Sequence, residues 1–199
     1  SLLALVLGLR FALRVGLRMS SPTMPLIVQE LLPSQTFIGS ASGLLTTISG
    51  VSSAVTAPLA GRWADRHGGR LLLLGGALLA ALAMFIQAIA PVYWLLLAAQ
   101  ALLGFGIGGT LAVISAYIGR MAPEGRTGAA FGLDAMAVSL SSAIGPTVGG
   151  WLSDNVTRRT PLYFGSAAMV LAGAAVLLLP KGQAQSAENS APSPEAHSG

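Results

Sequence analysis

Cysteine is absent from the 199-residue chain, which excludes disulfides, thiolate-bound metal and cysteine nucleophiles. Charge is scarce as well, with Asp, Glu, Lys and Arg together only 9% of the residues. A soluble domain carries about 25%, so most of this chain is not built to face water. It also lacks H-E-x-x-H, G-x-S-x-G and any phosphate-cradling loop ahead of a Lys-Ser/Thr pair. Zinc hydrolysis, serine-hydrolase chemistry and ATP drive are therefore without their signatures. No cluster of intramembrane acid, base and nucleophile is found either, so neither an enzyme nor a cofactor is expected.

What is present is apolar: 53% of the residues, with a mean hydropathy of +0.72. Hydrophobic runs of about 20 residues recur, each long enough to cross a hydrocarbon core of about 30 Å. The expectation is an all-α membrane protein with six transmembrane helices, over residues 2–31, 37–60, 71–90, 92–119, 127–151 and 161–180. The alternative is a soluble protein with unusually apolar core helices. Residues 1–180 form one transmembrane domain on this reading. Residues 181–199 lose apolar content abruptly and gain Ser, Ala and Pro, the composition of a disordered cytoplasmic tail. The chain begins with Ser1 rather than Met and reads as a fragment or a processed chain. A signal peptide is not expected, because Arg10, Arg14 and Arg18 interrupt the opening apolar segment.

The formal charge is +4 and the pI about 10.4. Nucleic acid is not the implied partner, since the arginines lie beside or inside apolar segments and no basic run mixes with aromatics. Topology accounts for the charge instead. With the 61–70 loop inside, Arg62, Arg66, Arg70, Arg120, Arg126 and Lys181 are cytoplasmic against only Arg158 and Arg159 outside. Both termini are then cytoplasmic in a multi-pass protein of the plasma (inner) membrane. Phe37, Tyr93, Trp94, Trp151, Tyr163 and Phe164 fall near the outer span ends, as an interfacial belt requires.

Four stretches carry more than hydropathy. Residues 61–70, GRWADRHGGR, are too charged for the bilayer interior and predict a tight turn at the membrane surface. Gly61 allows close helix approach there, Gly68 permits a positive φ, and Arg66 and Arg70 anchor the turn on the cytoplasmic side. Asp65 is placed to receive backbone N–H groups at another helix's N-terminus. The alternative is a basic loop that only sets topology. Second, the first span contains Gly16 and then Pro22 and Pro25, which remove helical N–H donors and predict a bend. Third, Gly104–Gly109 contains a formal G-x-G-x-x-G, but no βαβ unit surrounds it and close helix packing is the better account. Fourth, the fifth span carries Gly132, Ser141, Gly145, Pro146, Gly149 and Gly150, small residues that make a groove against another helix, or ordinary membrane-helix packing. It also holds Asp134, an intramembrane carboxylate and so a proton-site candidate; the alternative is a carboxylate that is solvated or paired with a loop arginine.

The 61–70 run matches G-x-x-x-D-R-x-G-x-R and resembles the loop signature of the major facilitator superfamily, although Gly69 stands where that family usually has Arg. G-x5-P-x-x-P in the first span and G-x8-S-x3-G-P-x2-G-G in the fifth are similar to signatures of its drug:proton antiporters. The resemblance implies one six-helix half of a twelve-helix transporter, read as the C-terminal half because a low-charge tail ends it. It further implies secondary transport of small molecules by alternating access, coupled to protons, with efflux of amphipathic compounds. The partners implied are the lipid bilayer, a second six-helix half, a small-molecule substrate and protons. Arg10, Arg14, Arg18 and Gln100, which stands where the family's fourth helix carries an Arg, are the expected lining of a central cavity; the alternative is that the first span starts later and Arg10 is cytoplasmic. A non-transporting membrane scaffold or assembly partner is the alternative function.

Overall fold

The computed structural model describes residues 2–32, 37–121 and 125–177, and the expected tail at 181–199 lies outside them. Seven helices follow in order: α1 (Leu2–Met19), α2 (Met24–Leu31), α3 (Ile38–His67), α4 (Gly69–Ile89), α5 (Tyr93–Met121), α6 (Thr127–Asn155) and α7 (Thr160–Leu177). The segments Ile38–Ala64, Gly69–Ile89, Tyr93–Ala116 and Thr127–Asn155 are long and apolar enough to cross a membrane, and Thr160–Val176 is a shorter apolar helix. α1 and α2 together make the remaining crossing.

The first span is broken where its prolines stand. Ser20–Thr23 leave the helix as a turn, and Pro25 falls in the first turn of α2, where its missing N–H costs nothing. Ser20 Oγ donates to the Leu17 carbonyl and Thr23 Oγ1 to the Ser20 carbonyl, both at 2.9 Å, so the Leu17 acceptor that loses the Ser21 N–H at the break and both hydroxyls are satisfied internally. That matters because hydrocarbon offers them no other donor.

The charged run differs from the expected tight turn. α3 continues to His67, and only Gly68, at φ +86°, separates it from α4. Nothing between Arg62 and His67 opposes a helix, and the exposed Arg62 and Arg66 can be solvated on a helix as well as on a loop. α3 therefore outruns its apolar segment, and the chain reverses at one residue that can adopt a positive φ.

Packing contacts order the spans as a curved row, α3–α5–α4–α7–α1–α6. Exchanging the first three spans with the last three reverses this row onto itself: α3 takes the place of α6, α5 of α1, and α4 of α7. Because each exchanged pair runs in opposite directions across the bilayer, the symmetry is that of an inverted repeat. Small residues set the contacts within it. A Cβ at Gly104 or Gly108 would overlap the backbone of Ser49 or Ser53 on α3, and one at Gly76 or Gly106 would overlap across the α4–α5 contact. The G-x-G-x-x-G of α5 thus supplies packing surfaces on two of its sides. Leu13, Leu73, Met84, Leu103, Ile114 and Met169 are among the buried side chains that fill the row's interior.

The two ends of the row stay open. Only 11% of the α3 span and 22% of the α6 span are buried, against 44% and 56% for α4 and α5. Gly39, Gly43 and Gly50 on α3, and Gly128, Gly132 and Gly150 on α6, have nothing within 4 Å of where a Cβ would stand. Hydroxyls on these helices bond back to their own backbone, as in Thr47 to the Gly43 carbonyl and Thr147 to the Ala143 carbonyl, each 2.9 Å. They require no water.

Candidate functional site

The charged centre is built from α1, α5 and α6. Arg10 Nε lies 2.8 Å from Asp134 Oδ1, with both side chains at most 10% exposed. Arg10 Nη1 also donates to Ser115 Oγ on α5 at 3.0 Å. The Nε–H does not point in line at the carboxylate, so the contact with Asp134 is an ion pair rather than a second directed hydrogen bond. α1 and α6 run the same way, and each partner stands about 10 to 12 Å along its helix from the first residue. The two charges therefore meet at one depth. An unpaired Arg at the centre of a membrane helix costs about 2.5 to 3.5 kcal/mol on insertion scales, and Asp134 supplies the countercharge.

Close approach of α1 and α6 is set by the fifth-span glycines. A Cβ at Gly145 would run into Arg18, and one at Gly149 into the Met19 carbonyl. Ser141, fully buried, donates to the Val138 carbonyl at 2.7 Å. Gly132 and Gly150 face no neighbour in this chain, and Pro146 is accommodated within a continuous α6. The six signature residues therefore divide between an internal contact and an open surface.

Beyond Arg10 the arginine face of α1 changes character. Arg14 is half-buried and its Nε has no hydrogen-bond acceptor among the described residues, while Arg18 is exposed. The structure thus separates the three arginines expected to share a cavity wall: Arg10 is consumed in a pair within the bundle, and Arg14 and Arg18 are not paired with any described carboxylate. Gln100 is buried in α5, about 22 Å along the helix from Ser115, and does not join them. Asp134 pairs with an arginine in a facing helix rather than in a loop.

In the loop signature, Gly68 holds its positive φ and its N–H donates to the Ala64 carbonyl at 2.9 Å. Gly61 does not make the close contact expected of it within this chain, because nothing lies within 4 Å of a Cβ there. Arg66 is exposed and Arg70 half-buried, whereas the side chain of Asp65 lies outside the described residues.

Sequence reasoning missed two participants. Ser115 is a small polar residue in an otherwise apolar stretch of α5, a weak signal that became meaningful only opposite Arg10. Arg159, expected only as an outer charge, donates to the carbonyls of Ala88 (3.2 Å) and Ala90 (2.9 Å) at the end of α4 and lies 3.5 Å from Glu30 of α2. It ties the connection between α6 and α7 to the ends of α4 and α2. A separate concavity of about 490 Å³ between α3, α4 and α5 is lined largely by apolar groups such as Leu71, Leu78 and Phe105, and offers little to orient a polar ligand.

The family model described as Major Facilitator Superfamily matches residues 6–198. The chain belongs to the Major Facilitator Superfamily. It is 36% identical over 152 residues to Multidrug resistance protein MdtG of Yersinia enterocolitica, covering 76% of this chain and 36% of that protein. It is 33% identical over 158 residues to the Multi-drug resistance efflux pump PmrA homolog of Lactococcus lactis, covering 79% of this chain and 37% of that protein. Among solved structures, a POT family transporter in complex with a thioalcohol-conjugated peptide superposes with a TM-score of 0.72 at 21% identity, covering 90% of this chain and 39% of that one. A second, in complex with 5-aminolevulinic acid, gives 0.69 at 21% identity, with 87% and 37% covered. These superpositions establish the fold: six transmembrane helices forming one half of a major facilitator arrangement. The chain spans well under half the length of the curated relatives it matches.

Proposed function

We propose that this chain is one six-helix half of a secondary transporter in the inner membrane, with both termini cytoplasmic. A second half completes it, and small amphipathic molecules move outward by alternating access coupled to protons. The loop signature at Gly61–Arg70 and the names of the relatives, a multidrug resistance protein and an efflux pump homolog, support the transport class rather than an enzyme. The observation that carries the half-transporter reading is the pair of open faces at the ends of the row. Glycine stripes on α3 and α6 gain dispersion energy only from a close partner. In this reading the second half covers both ends, and the arginine face of α1 looks into the space between the halves. Asp134 is the proposed proton-carrying carboxylate, exchanging its proton as the Arg10 pair opens and closes.

The test is flux in proteoliposomes under a pH gradient, comparing residues 1–199 alone with the same chain joined to a second six-helix half. Flux is expected only from the joined form. A Gly43→Leu variant, at a position with open space in this chain, should leave its own fold intact and reduce association with the second half by roughly tenfold or more. Full flux from the isolated chain would overturn the proposal in favour of a homodimeric carrier, and pH-independent binding with no flux from either form would favour a scaffold.

A further inference from the structure

Among the described residues, the carboxylates near the membrane-spanning helices are already engaged or distant from the middle of the bilayer. Asp134 is held by Arg10, Glu30 lies against Arg159 at the outer end, and Asp154 is exposed near the end of α6. Against these, Arg14 and Arg18 stand about 18 and 24 Å along the first span, on either side of its centre. Neither forms an ion pair with a described carboxylate. Arg14 in addition buries its Nε without an acceptor, which is costly for a guanidinium that presents five donors. Arg10 reaches α5 through Ser115 and α6 through Asp134, so the arginine face of α1 lies between those two helices. α5 and α6 make little contact with each other, leaving that face uncovered as the row continues outward from Arg10.

From this we infer that the substrate is an amphipathic organic anion whose carboxylate, or a similarly small oxyanion head, is held by Arg14 and Arg18. This rests on the transporter reading and specifies the chemistry of its site. A guanidinium presents parallel N–H donors that match a carboxylate in a forked geometry. Among the described residues the bundle supplies one carboxylate to three stacked arginines, and the other two sit where a charge is most expensive in a bilayer. A cationic substrate placed there would meet two like charges in a medium of low dielectric. An anion relieves the cost that the empty site carries, so binding is favoured by what it removes as well as by the bonds it makes. Gly145 contributes by letting the α1 backbone at Arg18 lie flush with α6.

The probes are two xanthene dyes of similar shape and opposite charge, 6-carboxyfluorescein and rhodamine 123. Their binding to the purified protein, this chain with its second half, is measured by fluorescence anisotropy and their transport in proteoliposomes. The wild type should bind carboxyfluorescein more tightly than rhodamine 123. Arg14→Gln and Arg18→Gln should each weaken carboxyfluorescein binding by roughly tenfold to a hundredfold, the range for a hydrogen bond to a charged group. Rhodamine binding should hold or improve in the same variants, showing that they are folded. Arg14→Lys, which keeps the charge and loses the fork, should retain part of the affinity. Tighter binding of rhodamine, or unchanged carboxyfluorescein affinity in both Gln variants, would overturn the assignment. So would the case in which carboxylates of the second half neutralise both arginines, because carboxyfluorescein would then not bind. A protein that transports rhodamine 123 but ignores carboxyfluorescein overturns the anion site and leaves the transporter reading standing. Arginine-dependent binding of carboxyfluorescein without transport of either dye does the reverse.

Discussion

Replacing Asp134 with Asn keeps the shape of the side chain and removes the only carboxylate within ion-pair reach of Arg10 among the described residues. Arg10 is 7% exposed, so its guanidinium cannot be rehydrated in place. Breaking a buried pair from one side costs about 3 to 5 kcal/mol, because the remaining charge stays buried and uncompensated. For a domain of this length that corresponds to a fall in Tm of roughly 6 to 20 °C. Arg10→Met should cost a comparable amount by stranding the carboxylate. The double variant Arg10→Met/Asp134→Leu should recover most of the loss, since an apolar pair of similar volume is often neutral or stabilising by about 1 to 4 kcal/mol. Thermal unfolding of the wild type, Arg10→Met, Asp134→Leu and the double variant in one detergent gives the coupling energy directly. Flux under a pH gradient then separates structure from coupling: if Asp134 carries the proton, the double variant regains stability and fails to regain pH-driven transport. A double variant that regains both would show that the pair only holds α1 to α6. Single variants that lose less than about 1 kcal/mol would refute the burial argument itself.

Two further outcomes follow from the same contacts. Gly149→Leu should destabilise the α1–α6 contact, because even a Cβ there overlaps the Met19 carbonyl, while Gly132→Ala, facing open space, should change Tm little; comparable losses at both sites in a thermal-shift assay would contradict the packing described. Asp65→Asn should shift the balance between inward- and outward-open forms several-fold with little effect on expression, as expected for a carboxylate worth about 0.3 to 2 kcal/mol at a helix N-terminus. Unchanged inter-half cross-linking in that variant would reduce the loop to a topology signal.

Much of the architecture was legible because membrane helices announce themselves by length and hydropathy, and because Pro22 and Pro25 can be read as a bend, which the structure carries further to a break, without knowing any neighbour. The boundary of α3 was not legible in the same way. Hydropathy marks where the bilayer ends, whereas the helix ends where backbone geometry demands it, at Gly68. The fate of Arg10 was hidden for a different reason. Its spacing from Arg14 and Arg18 suggested three equivalent residues, and only the packing of α1 against α6 distinguished them, through a carboxylate that sequence alone offered as a proton site or as one solvated or paired with a loop arginine. Depth was the available clue, since Arg10 and Asp134 stand about equally far into helices that run in the same direction. Glycines were ambiguous throughout: Gly61 and Gly149 look alike as letters, and one faces open space while the other meets the Met19 backbone.

The inverted symmetry of the row gives a reason for the placement of the arginines. α5 and α1 occupy equivalent positions, each packed between an end helix and an inner one. In the contact between α5 and α3 the glycines are on α5, where Gly104 and Gly108 admit the α3 backbone. In the equivalent contact between α1 and α6 they are on α6, where Gly145 and Gly149 admit α1. The close approach is the same, but the partner that gives up its side chains has changed. α1 is thereby released from supplying the small residues of that contact and can carry long polar side chains beside it, at Arg14 and Arg18. An end helix that yields its volume in this way brings the neighbouring cations to the uncovered side of the row without loosening the row itself. The charge of the proposed site and the rigidity of its scaffold therefore have one structural origin, the transfer of glycine from α1 to α6.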